Sequence, residues 1–208
     1  MFTSLQIGVL ALQGDFERHL HHLRVLHASG REVRRVADLD GLDGLIIPGG
    51  ESTTMNKLID RFGMRDALAA FFRSRAVWGT CAGSILLARE VDDDRITPFG
   101  VIDVAISRNA YGRQIHSFFA TVQARLGNNT VALPASFIRA PIISGSGPDV
   151  RVLAEYEEHP VLLEQKHCLV STFHTELHED PLLTRYFLEN VLTVSRGKND
   201  SPAYRSVS

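Results

Sequence analysis

The chemistry of this chain centres on Cys81, in the run Val77-Trp78-Gly79-Thr80-Cys81-Ala82-Gly83-Ser84-Ile85-Leu86-Leu87-Ala88. An apolar strand that passes through Gly-x-Cys-x-Gly into an apolar helix-forming stretch has the layout of a nucleophile elbow. A reactive side chain on so sharp a turn needs side-chain-free neighbours, here Gly79 and Gly83. Unpaired N–H groups at the start of a helix favour a thiolate, and the N–H of Ala82 is placed to bind an oxyanion. The same pattern also suits a small buried thiol between two glycines, so the elbow alone leaves two readings.

A cysteine nucleophile needs a base and a group to orient that base. His174 with Glu176 fits, because the pair follows the strand-like Leu169-Val170-Ser171-Thr172-Phe173 and residues two apart on extended backbone point the same way. A structural role for His174 at a strand end stays open. The chain has nine histidines in all. His19, His21, His22 and His27 fall on the first helix and are expected on a solvated or half-buried face. His178 lies near the pair with nothing to position it, and His116, His159 and His167 fall in strands or turns. Pro48-Gly49-Gly50-Glu51 follows another short strand and lacks the Gly-Lys-Ser/Thr ending of a phosphate loop. Gly50 can bring a second backbone N–H to the oxyanion, opposite Ala82.

These residues must be positioned by a sheet. Gln6 to Leu12 reads as a strand, and Phe16, Leu20, Leu23 and Leu26 follow at helical spacing up to a glycine stop at Gly30. Glu32 to Val36 and Gly44 to Ile47 are the next strands. Ser52 or Thr53 is expected to cap a helix carrying Met55, Leu58 and Ile59, and a second helix with Leu68, Phe71 and Phe72 leads into the elbow strand. Strands alternating with helices imply an α/β doubly wound parallel sheet, with ligands at the carboxyl ends of its strands. Beyond Glu90 the pattern turns antiparallel or mixed. Strands are expected at Phe99 to Ser107, Ile115 to Arg125, Ser136 to Ile143, Val150 to Glu155, Val161 to Lys166 and Cys168 to Phe173, with a turn at Glu158-His159-Pro160. A last helix starts at Asp180-Pro181 and carries Leu183, Phe187, Val191 and Leu192.

With 208 residues and 44% hydrophobic content the chain can bury one sizeable core, so a single domain over 1–195 and a polar, disordered tail over 196–208 are expected. A net charge of −2 without Lys/Arg blocks favours neither nucleic acid nor an anionic membrane as partner. No apolar run approaches the roughly 20 residues that span a bilayer, and the N-terminus lacks a basic leader, so the chain is expected in the cytoplasm. Two cysteines, Cys81 and Cys168, make no disulfide framework and have no metal-like spacing.

Gly79-Thr80-Cys81-Ala82-Gly83 with His174-Thr175-Glu176 resembles the class I, triad-type glutamine amidotransferase family. Leu10-Ala11-Leu12-Gln13-Gly14, Pro48 to Met55, Arg108-Asn109-Ala110-Tyr111-Gly112-Arg113-Gln114 and Phe137-Ile138-Arg139-Ala140-Pro141 are similar to the glutaminase subunits of pyridoxal 5′-phosphate synthase within it. The likeness runs from Gln6 to about Val194. It implies a single-domain, doubly wound mixed sheet of flavodoxin-like form, acting on L-glutamine with no cofactor and passing ammonia to a separate synthase subunit in a hetero-oligomeric complex. It also implies Cys81 as nucleophile, His174 as base and acid, Glu176 as its orienter, and Gly50, Glu51, Ser52, Arg108, Ile138 and Arg139 around the glutamine. An arginine suits the substrate carboxylate, and either Arg108 or Arg139 can supply it. Many relatives have His-Pro-Glu where this chain has His174-Thr175-Glu176. Ile115-His116-Ser117-Phe118-Phe119 lacks two carboxylates usual in the family. A glutaminase of another amidotransferase and a flavodoxin-like binding module are the competing readings.

Overall fold

The short apolar strand expected at Gly44–Ile47 lies inside the sheet, flanked by strands on both sides. The computed structural model describes residues 2–108 and 117–199. Its elements in chain order are β1 (Gln6–Leu10), α1 (Phe16–Val25), β2 (Ser29–Val33), β3 (Gly44–Ile47), α2 (Ser52–Arg61), α3 (Arg65–Phe72), β4 (Ala76–Thr80) and α4 (Ala82–Leu87). There follow β5 (Ala88–Val91), β6 (Ile102–Ser107), β7 (Phe118–Leu126), β8 (Asn129–Phe137), β9 (Ile142–Ser146), β10 (Arg151–Tyr156), β11 (His159–Gln165), β12 (Cys168–Ser171) and α5 (Leu182–Asn199). The large sheet runs β2-β1-β3-β4-β12-β11-β10-β7-β8, and β5-β6-β9 form a smaller one. From β2 to β12 all pairings are parallel, and from β12 to β8 all are antiparallel. Every residue of β3, β4 and β12 is buried, as apolar strands covered by helices on both faces must be.

Two apolar layers sandwich that centre. One is built from Leu23 of α1, Trp78 and the α5 residues Leu183, Phe187, Leu188 and Val191. The other joins Met55, Ile59, Leu68 and Phe72 of α2 and α3, the α4 residues Ile85 to Leu87, and Ile102, Val104, Ile106 and Ile143 of the smaller sheet. The expected doubly wound mixed sheet is therefore the observed architecture. None of the helices among the described residues is long and apolar enough to cross a membrane.

Several local expectations are corrected. The second strand lies at Ser29–Val33 instead of 32–36, because α1 stops earlier than Gly30. His27 takes the left-handed stop with φ 55°, and the Ala28 N–H reaches back to Leu23 O at 2.9 Å in a Schellman-type ending. Gly30 instead lies in β2 beneath α1, where a Cβ would meet Leu23 Cδ1 at 2.8 Å. The expected strand from Ser136 to Ile143 is interrupted: Ser136 and Phe137 end β8, and Ile142 and Ile143 begin β9. His174 occupies the backbone of Ser136 on both sides, Arg139 turns to φ 46°, and Pro141 has no N–H to pair. Asn129 to Ala135, unassigned from sequence, completes β8 behind a turn at Gly127, φ 60°. The hairpin before β11 turns at Glu157 and Glu158, both at positive φ, and His159 and Pro160 already belong to the strand. The first of the later strands begins at Ile102 rather than Phe99, whose ring packs edge-on against Phe72. The last helix continues through Asn199, past the expected boundary at 195, and positions 200–208 lie outside the described residues. Asn109 to His116 lie outside them as well.

Two glycines test how tightly these layers meet. A Cβ on Gly83 would fall 2.1 Å from the Ile47 carbonyl oxygen, a backbone atom that cannot give way without moving β3. The nearest obstacles at Gly30 are the ends of Leu23 and Leu20, at 2.8 and 3.1 Å, which can swing aside. Gly83→Ala is expected to lose about 1–3 kcal/mol in urea unfolding. Gly30→Ala should change it by less than about 1 kcal/mol. The opposite ranking would mean that the elbow relaxes more easily than the α1 packing.

Candidate active site

Cys81 is the junction between β4 and α4, with φ 47° and ψ −104°, a conformation an L-residue holds only when its surroundings impose it. Its N–H donates to Ser171 O of β12 at 2.8 Å, and its carbonyl accepts the Ser84 hydroxyl at 2.6 Å. Gly79 and Gly83 leave the room: a Cβ on Gly79 would meet the Gly83 carbonyl carbon at 2.5 Å. Outside the backbone, Sγ lies 3.9 Å from Ile138 O. Cys168, by contrast, is enclosed inside β12, where burial pushes its thiol well above the ordinary range.

His174 stands just past the end of β12. Its backbone exchanges two hydrogen bonds with Ser136, at 2.9 and 3.1 Å, which tie the β8 end to the site. Its Nδ1 lies 2.6 Å from Glu176 Oε1, the charge-assisted contact expected from their spacing, although the pair occupies a turn after the strand and not extended backbone. Burial would lower the pKa of His174, but the hydrogen bonds and charges of Cys81 and Glu176 outweigh it and raise the pKa above the usual histidine value. Burial likewise disfavours the Glu176 carboxylate, and the histidines beside it hold its pKa below the ordinary carboxylate value nonetheless. The ring of His174 rests on Gly49, where a Cβ would fall 2.2 Å from Cε1. Side-chain-free backbone is required there for a reason separate from the oxyanion.

Gly50, Glu51, Cys81, Ile138, Arg139 and His174 line one cavity of about 240 Å³ at the carboxyl ends of the strands. Gln13, Gly14, Asp15, Gly49 and Leu177 complete it. The glycine loop is packed against Gln13-Gly14: Gln13 Oε1 accepts the Glu51 N–H at 2.8 Å, and a Cβ on Gly14 would fall 1.8 Å from Gly49 O. The Gly49 carbonyl thus faces Gly14, and the Gly50 N–H at the other end of the same planar peptide faces away from it. Among the described residues neither the Gly50 nor the Ala82 N–H donates to another backbone group.

The remaining expected residues are distributed differently. Glu51, and neither Ser52 nor Thr53, caps α2, accepting from Thr54 N at 2.6 Å and from both threonine hydroxyls at 2.6 Å. Ser52 is buried in the first turn, its hydroxyl unpartnered. Arg108 does not line the cavity. One arm holds Glu51 and the other holds Asp93 at 2.7 Å, and Arg95 donates to both oxygens of the same Asp93 carboxylate. Of the two candidate arginines, Arg139 is the one at the cavity wall. His19 and His22 are fully buried, not solvated, because α1 lies flat over the sheet with these residues inward. His22 Nε2 contacts His178 O at 2.8 Å, and His178 is positioned after all by the Ser136 hydroxyl at 2.9 Å. Gln13 and Asp15 line the cavity without having been singled out from sequence, although the loop after β1 sits where ligands of such sheets bind. Among the described residues no group of three His, Cys, Asp or Glu side chains is arranged to hold a metal.

A cysteine at a strained elbow, beside a His–Glu pair at the carboxyl edge of this sheet, is the arrangement of a class I glutamine amidotransferase. A crystal structure of a glutamine amidotransferase superposes with TM-score 0.82 at 44% identity, covering 89% of this chain and 98% of that one. PurLQS from Thermotoga maritima shares the fold at TM-score 0.61 and 14% identity, covering 94% and 99%. The chain belongs to the SNO glutamine amidotransferase family, which matches residues 9–193. Among its relatives, pyridoxal 5′-phosphate synthase subunit PdxT of Thermus thermophilus is 47% identical over 187 residues, 88% of this chain and 96% of that protein. The protein of the same name from Dehalococcoides mccartyi is 42% identical over 193 residues, 91% and 98%.

Glu51 offers a pH test of the α2 cap. Burial disfavours its charge, but the Thr53 and Thr54 donors prevail and bring its pKa from 4.5 to about 2. Because the folded value is the lower one, its contribution to stability is complete above about pH 4.5 and is lost as the pH falls towards about 2. Glu51→Gln should cost about 1 kcal/mol at neutral pH, moderated by the side chain's partial exposure. That gap should narrow in urea unfolding at pH 3. A gap of the same size at both pH values would show that ionisation of Glu51 does not matter to the cap.

Proposed function

We infer that the chain hydrolyses L-glutamine to L-glutamate and ammonia and delivers the ammonia to a pyridoxal 5′-phosphate synthase subunit in a hetero-oligomeric complex. The observation that carries the chemistry is the 2.6 Å contact of His174 Nδ1 with Glu176, in a residue that shares one cavity with Cys81. The names of the relatives supply the pathway and the partner.

Cys81 Sγ attacks the carboxamide carbon of glutamine, and the carbonyl oxygen becomes an oxyanion held by the N–H groups of Gly50 and Ala82. His174, oriented by Glu176, gives a proton to the leaving nitrogen, and ammonia departs as the glutamyl thioester forms. The imidazole, now neutral, takes a proton from water, whose oxygen attacks the thioester carbon. Glutamate leaves and the thiolate–imidazolium pair is restored. The raised basicity of His174 suits it to hold this proton between turnovers. Arg139 at the wall and Glu51 at the cap supply opposite charges for the two ends of the amino acid, with Arg108 bracing Glu51. Ammonia free at neutral pH is nearly all ammonium, which is not nucleophilic, so direct transfer to a partner preserves its reactivity.

Cys81→Ala should abolish glutamate release, whereas Cys168→Ala should not, since that thiol is sealed in the sheet. His174→Ala should cost nearly as much as Cys81→Ala, and Glu176→Gln should leave residual turnover, because residues acting as a unit do not contribute additively. An enzymatic glutamate assay of the four variants in complex with the synthase checks this, and wild-type turnover in His174→Ala would sink the assignment.

The oxyanion loop adds a second expectation. The Gly49-Gly50 peptide can present either its N–H or its C=O to the cavity, since glycine allows both conformations, and a partner that binds only the donor-inward form shifts the population. One missing donor costs roughly 10² to 10³ in rate. Steady-state glutamate release should therefore rise at least about tenfold when synthase is added. Equal rates with and without synthase would mean that the loop is already organised in the free subunit.

A further inference from the structure

His19 is a polar ring in a place that apolar packing could have filled. It is fully buried on the inner face of α1, edge-on to Trp78 with ring centroids 5.3 Å apart and planes at 87°. Its Nε2 points between two groups of the active site, 3.5 Å from Thr80 Oγ1 and 3.6 Å from Glu176 Oε1. Thr80 is the residue before Cys81, and Glu176 is the residue that holds His174. The other ring nitrogen, Nδ1, has no partner.

These contacts decide the tautomer. A proton on Nδ1 would be a buried donor with no acceptor, and it would turn the Nε2 lone pair on a carboxylate. A proton on Nε2 leaves only an unpaired lone pair and directs an N–H dipole at Glu176. Burial also keeps the ring neutral, against the pull of Glu176. Glu176 needs such a neighbour: it is almost wholly buried, and its Oε2 has no hydrogen-bond partner. A carboxylate in that state gains by drifting out of line or by taking up a proton. A second cation would compete with the His174 imidazolium for its charge. A neutral N–H fixes its position and leaves the charge for His174.

We propose that His19 is a positioning residue of the glutaminase site, whose Nε2–H ties Glu176 to the elbow strand and keeps its carboxylate in line with His174 Nδ1. The proposal rests on the glutaminase reading above. It gives α1 a part in catalysis that its sequence pattern conceals.

The test compares wild type, His19→Leu and His19→Gln in complex with the synthase. Leucine fills the site without a donor, and glutamine can place an N–H near the position of Nε2. His19→Leu is expected to lower kcat about fivefold, the rate equivalent of losing one N–H dipole held 3.6 Å from a charge, with KM for glutamine within about twofold. Its thermal midpoint should not fall, and His19→Gln should recover most of kcat. Wild-type kcat in His19→Leu, or a loss that follows the thermal midpoint and is not recovered by glutamine, overturns the proposal. A readout independent of turnover is the downfield proton resonance of His174 Nδ1 in the isolated chain. It should be present in wild type and His19→Gln and broadened by exchange in His19→Leu. If the wild-type complex releases no glutamate, the glutaminase reading falls, and this resonance still decides about His19: the same signal in all three proteins overturns the proposal.

Discussion

The structure depends on one close backbone contact, where β4 turns into α4 against β3. Gly83 sits so near Ile47, and Gly79 so near Gly83, that neither position has room for a Cβ. That crowding lets the chain reverse within a single residue and leaves Cys81 at φ 47°, held by its N–H bond to Ser171 on the other flanking strand. The turn requires β3 and β12 on either side of β4, in parallel register and buried on both faces. The rest of the parallel half serves this arrangement. The loops leaving β1, β3 and β12 open at the same edge, and they bring Gln13, Gly49, Gly50 and His174 around the thiol.

Charge inside the site is balanced by pairing against burial. Glu176 and His174 are each penalised by desolvation, and the 2.6 Å contact between them, with Cys81 beside His174 and His19 beside Glu176, offsets it. Removing either partner would leave the other as an unpaired buried charge, which is why such pairs are sensitive to mutation even when their net contribution to folding is small. A second network, Glu51-Arg108-Asp93-Arg95, lies nearer the surface and connects the α2 cap with the segment after β6. Being better solvated it contributes less to stability, but it fixes Glu51 at the cavity wall.

The antiparallel half supplies what a purely parallel sheet would lack. Phe137 stacks on Phe118 at 4.7 Å and also touches Tyr156 and Phe173, so the β7–β8 hairpin is anchored by aromatic packing beside His174. The end of β8 then pairs with His174 and delivers Ile138 and Arg139 to the cavity. Thr175 is buried between His174 and Glu176 with its hydroxyl unpartnered, and Phe119 on β7 is 78% exposed.

Local chemistry was enough to read Cys81 between two glycines, His174 two residues before Glu176, and the alternation of apolar strands and helices. Each is written in consecutive residues, and each follows from the backbone period or from the room a turn requires. Tertiary structure decided the rest. Three histidines on α1 look alike in sequence, and only the packing of the helix over Trp78 buries His19 against Glu176 while His21 stays exposed. Gly30 looked like a helix stop, but His27 ended the helix and Gly30 was used for clearance beneath it. The Ser136 to Ile143 stretch had the composition of one strand, and competition from the His174 backbone split it between two sheets. Between Arg108 and Arg139 no local signal distinguished the brace from the wall of the cavity. The choice depended on carboxylates distant in sequence, Glu51 and Asp93, which only the folded chain brings within reach of Arg108.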